Sequence, residues 1–84
     1  MNDLYFIEHP KSHKWVSINH KPEMVDDGTI GSRFWTTDAD TSMSFTISID
    51  ALGYITKCPN IKNCVITKHF RLAGTWVHVP YNNN

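Results

Sequence analysis

The chain has 84 residues, 40% hydrophobic and 12% aromatic, and its eight basic and eight acidic side chains cancel to zero net charge. This apolar content excludes an intrinsically disordered segment, and the length supports one small domain with a modest core. No apolar run approaches the roughly 18 residues of a membrane-spanning helix, and the neutral balance lacks the basic excess of ribosomal-type proteins. The start, Met1-Asn-Asp-Leu-Tyr5, has neither the basic head nor the long apolar stretch of a secretory signal, so the expected compartment is cytoplasmic, with no membrane partner. Cys58 and Cys64 are too few for a disulfide framework and read as thiols there.

In chain order, residues 3–8 and 14–19 read as two strands joined by a turn at residues 9–13 that contains Pro10, which together form an antiparallel hairpin. Residues 21–32 hold Pro22, Gly28 and Gly31 with little periodicity, and form the longest loop, with one helical turn expected at residues 22–25. A short strand at 33–37 precedes a turn around Asp38 and Asp40. Residues 43–50 alternate apolar and polar at period two, with Met43, Phe45, Ile47 and Ile49 on one face, and give the clearest strand signal in the chain. A three-residue hairpin loop ending at a left-handed Gly53 follows, leading into a strand over 54–58; a helix beginning at Asp50-Ala-Leu52 is the competing reading, weakened by the short run before Pro59.

Pro59-Asn60 signals a turn, and residues 64–70 are dense in β-branched side chains and read as a strand. Gly74 punctuates the chain before a last alternating run at 75–81, where Pro80 marks a sheet edge or a strand end. Residues 82–84 are a polar asparagine tail. The pattern predicts a mainly β domain over residues 1–81, an antiparallel barrel or small sandwich of roughly six to seven short strands with at most one helical turn.

Charge is unevenly distributed. Residues 23–50 carry Glu23, Asp26, Asp27, Asp38, Asp40 and Asp50 against Arg33 alone, whereas no acidic side chain follows Asp50. The acid-free remainder interleaves Lys57, Lys62, Lys68 and Arg71 with Tyr54, Phe70 and Trp76, the combination of phosphate-tracking cations and stacking rings that small β-barrels use on single-stranded nucleic acid. Four cations are few, and Phe70 and Trp76 suit a core better than a stacking platform in so small a protein.

Cys58, Cys64, His69 and His78 are the soft and borderline ligands that zinc prefers, but five residues separate the cysteines where structural sites open with roughly two to four. A buried Cys64 with Cys58 at a nearby strand end is the simpler reading, and closeness of the two would make them a redox-sensitive staple. His9 and His13 flank a turn at Pro10 rather than share a helix face. Asp38 and Asp40 begin like a calcium loop, but the pattern then requires glycine and glutamate where Met43 and Ile49 stand, so a turn with carboxylates capping amides is expected. No nucleophile elbow, phosphate loop or metalloprotease motif is present, and neither an enzyme nor a cofactor is expected.

What remains is a protein-binding module, a small inhibitor or adaptor that regulates a larger partner; chains of this size without a motif are often accessory proteins of phages or mobile elements. Trp15 lies opposite Val16 and Ile18 on its strand, and Phe34 and Trp35 point to opposite sides of theirs, so the expected partner surface comprises Trp15, Arg33, Trp35, Asp26 and Asp27. The first alternative is a nucleic-acid-binding barrel using Lys57, Lys62, Lys68 and Arg71, and the second a zinc- or redox-sensitive domain through Cys58 and Cys64. An exposed edge strand would permit a homodimer.

Overall fold

The computed structural model describes residues 3–21, 34–58 and 61–80. Alternation in the amino-terminal segment makes β1 (Leu4–Glu8), which returns through a turn into β2 (Trp15–Val16), with Glu8 opposite Trp15. The His9 imidazole organises that turn, its Nδ1 accepting from the amides of Lys11 (3.1 Å) and Ser12 (3.2 Å), while His13 adopts a left-handed backbone at φ 61°. β3 (Trp35–Thr36) pairs antiparallel with β2.

A 3-10 turn (Ala39–Thr41) follows. Its Asp38 cap accepts from the Asp40 amide at 2.9 Å, as expected of a carboxylate in a tight turn. The carboxyl-terminal hairpin consists of β4 (Val65–Leu72) and β5 (Thr75–Pro80). Its two-residue turn sets Ala73 at φ 52° and Gly74 at φ 81°, the positive angles whose twist matches the flanking strands.

The strands form one antiparallel sheet in the order β3-β2-β1-β4-β5. Pro80 lies on edge strand β5, where a missing N–H is tolerated. The fold is thus mainly β, but its sheet is open, with five strands among the described residues rather than a closed barrel of six or seven. No helix among them is long and apolar enough to cross a membrane.

The largest correction concerns residues 43–58. Of the expected strand only Phe45 bridges to the sheet, at Tyr5, next to a bridge between Ser17 and the preceding Ser42. From Ser48 the chain coils into α1 (Ser48–Lys57), replacing both the Gly53 turn and the expected strand beyond it, and Gly53 sits inside the helix. Ala51, Ile55 and Cys58, spaced at i, i+4 and i+7, are buried and face the sheet. Asp50 in the first turn and Lys57 in the last suit the helix dipole, and tertiary burial outweighs the ~1 kcal/mol that an interior glycine costs.

α1 packs on β1 and β4, and a core forms between helix and sheet from Ile7, Val16 and Ile66 beneath Ala51, Ile55, Cys58 and Ile61. Tyr5, Trp35, Phe45, Tyr54 and Cys64 close its margin. Tyr54 reaches from the helix to His20, with its hydroxyl 2.7 Å from Nδ1. The expected helical turn at 22–25 lies outside the described residues.

Candidate functional site

Paired residues on neighbouring strands project to the same side, so the register divides the side chains between two faces. Tyr5, Ile7, Val16, Trp35, Ile66, Lys68, Phe70, Val77 and Val79 project toward the α1 side. The opposite face carries Phe6 and Glu8 from β1, Trp15 from β2, Thr67, His69 and Arg71 from β4, and Trp76, His78 and Pro80 from β5.

A ring cluster occupies the middle of this second face. Phe6 and His69 stack at 3.8 Å, and Trp15 stands edge-on to both at 5.0 and 4.9 Å. His78 stacks on His69 at 5.2 Å from the next strand. Phe6 and His69 are each only 1% exposed, whereas His78 is open to solvent.

Hydrogen bonds fix the cluster's polar rim. The Trp15 indole N–H donates to Glu8 Oε1 at 3.0 Å, and His13 Nδ1 lies 3.0 Å from the other carboxylate oxygen, so a largely buried acid is held at both ends. Thr67 Oγ1 and His69 Nε2 are 2.7 Å apart. Burial, and secondarily the neighbouring His78, lowers the His69 pKa to about 4, while Glu8 pulls weakly the other way. His69 is therefore neutral at physiological pH, as a stacked, desolvated imidazole should be.

Toward the hairpin tip the face opens. β4 and β5 continue past the Leu4–His69 pair at the start of β1, so Phe70–Val77 belong to a two-stranded ribbon. There the Arg71 guanidinium lies 5.0 Å from the Trp76 ring centroid, an exposed cation on a half-buried indole. This row offers apolar ring surface, one guanidinium fork and the solvent-facing imidazole of His78.

The sequence candidates separate. Trp15 belongs to the ring cluster, half-buried; Trp35 pairs with Val16 on the other face and packs against the core, so the two tryptophans do not form one surface. Arg33, Asp26 and Asp27 lie outside the described residues. Among the nucleic-acid candidates, Lys57 ends α1, Lys62 follows in an exposed turn, Lys68 projects to the helix side and pairs with Asp3 at 3.3 Å, and Arg71 is on the second face. The proposed zinc set also divides, with Cys58 and Cys64 at the core and His69 and His78 across the sheet. Cys58 is buried and Cys64 half-buried, and burial pushes the Cys64 thiol up to about 11. Among the described residues no group of three or more His, Cys, Asp or Glu is placed to hold a metal.

Sequence reasoning missed Phe6, Glu8, His69, His78 and the Arg71–Trp76 pair as one surface. The period-two pattern of β1, β4 and β5 contained half of that signal, but the register that aligns them is not a local property. Comparison with known proteins finds no matching family model, no similar curated protein and no similar solved structure.

Proposed function

We propose that this chain is a protein-binding module, a small inhibitor or adaptor that docks on a larger protein through the sheet face opposite α1. The observation that carries this reading is the row formed by Arg71, Trp76 and His78 beside the Trp15 cluster. Tryptophan and arginine are the residues that most often dominate binding energy at protein interfaces, and here they are pre-positioned on a hydrogen-bonded scaffold, so little side-chain freedom is lost on docking. Arg71 suits a partner carboxylate and Trp76 an apolar or aromatic side chain. Asp26, Asp27 and Arg33 remain part of the proposed contact set on sequence grounds.

The nucleic-acid reading shares Arg71 and Trp76 but draws little support from Lys57, at the end of α1, and Lys68, on the helix side of the sheet. A pull-down with tagged protein, run with and without nuclease, separates the two. A stoichiometric protein partner that survives nuclease and is lost with either Arg71→Ala or Trp76→Ala is the expected result, with circular dichroism confirming that both variants stay folded. Partner capture that is indifferent to both variants, or that disappears with nuclease, overturns the proposal.

A further inference from the structure

The outer side of α1 is unlike an ordinary solvent-facing helix surface. Opposite the buried Ala51, Ile55 and Cys58 stripe, it presents Ile49 at 70% exposure and Leu52 at 42%, with Gly53 and Thr56 between and below them. The Thr56 hydroxyl donates to the Leu52 carbonyl at 2.8 Å, so its hydrogen bond is satisfied within the helix and the surface it adds is largely its methyl group. A helix apolar on two sides normally has something packed on both.

Charge selects the occupant. Asp50 and Lys57 flank this stripe on the same side, at opposite ends of the helix, and neither makes an ion pair among the described residues. Seven residues of helix separate them by about 10.5 Å, so the point midway between them lies beside Gly53 and Tyr54. A two-fold axis there brings Asp50 of one helix against Lys57 of the other, twice, while Ile49, Leu52 and Thr56 of each helix meet across the seam. A Cβ built on Gly53 would meet nothing within 4 Å, so a second backbone has room to approach closely. A parallel pair would instead oppose Asp50 to Asp50 and Lys57 to Lys57.

We propose that the chain forms a homodimer through the outer face of α1, the two helices antiparallel about an axis beside Gly53. Edge strand β5 is the poorer dimer contact, because Pro80 removes one of its donors. Pairing through α1 leaves each sheet outermost, with the Arg71–Trp76 faces directed away from each other. The dimer itself does not depend on the proposed function; combined with it, the dimer is a bivalent binder.

Sedimentation velocity over a concentration series of the full chain tests this. The wild type is expected to shift toward twice the chain mass as concentration rises, and Leu52→Glu, Asp50→Lys and Lys57→Asp each to remain at the monomer mass while keeping the wild-type circular dichroism. Mixing Asp50→Lys with Lys57→Asp is expected to restore the dimer, because each variant then supplies the charges that the other opposes. A wild type that stays monomeric throughout, a dimer that survives Leu52→Glu, or a mixture that stays monomeric overturns the proposal. None of these outcomes bears on partner capture through Arg71 and Trp76, so the two proposals fail separately.

Discussion

On the α1 side of the sheet, Ile7, Val16 and Ile66 are inaccessible because a helix lies over them; on the other side, Phe6, Thr67 and His69 are almost as inaccessible through ring stacking and a threaded set of hydrogen bonds. The first face is aliphatic and non-directional, so its stability follows buried area and fit. The second is aromatic and polar, and its geometry is fixed by directional contacts around Glu8, Trp15 and His69. A small chain can order both sides of one sheet this way, by assigning bulk stability to one side and directional placement of rings to the other.

The strongest break in this comparison is Ile66→Ala, which opens a cavity beneath α1 and should cost about 2–5 kcal/mol in urea unfolding, enough to threaten folding in so small a protein. The next separates the faces by pH. The folded His69 pKa of about 4 lies below the usual 6.5, so the unfolded chain binds a proton first; the stability contributed by neutral His69 is present above pH 6.5 and is lost as pH falls toward 4. The urea midpoint should decline over that window with a slope of at most about 1.4 kcal/mol per pH unit, the single-proton limit, and His69→Gln should flatten it. An unchanged slope in that variant would remove His69 as the cause.

Glu8→Gln keeps an acceptor for the Trp15 indole but discards the charge shared with His13, and should cost about 1 kcal/mol with a change in tryptophan fluorescence. The smallest effect is a control that touches neither face. Ala73 occupies a left-handed turn position at φ 52°, so Ala73→Asn should stabilise by about 0.5 kcal/mol and raise the melting temperature slightly without altering the fluorescence.

Much of the sheet was legible from local pattern. β1, β2 and their turn, a short strand at Trp35, β4, and an edge strand ending at Pro80 all follow from alternation, β-branched density and turn residues. Residues 43–58 were misread because Ile47 and Ile49 extend a period-two pattern that stops mattering at Ser48, while Ala51, Tyr54, Ile55 and Cys58 already held the helical period. Ile49, expected on the apolar face of a strand, instead lies on the outer side of the helix, more exposed than Leu52.

By itself the sequence determined a mainly β chain with its principal hairpins, the roles of Asp38, Gly74 and Pro80, and a separation of acidic from basic segments, because these depend on neighbours a few residues apart. Tertiary structure decided that the sheet stays open, that residues 48–57 coil over it, that Trp15 and Trp35 part to opposite faces, and that His78 joins the Trp15 cluster with Arg71 and Trp76 on the same face. Those outcomes rest on strand register and on which apolar surface α1 covers, and both are set by contacts between residues far apart in the chain.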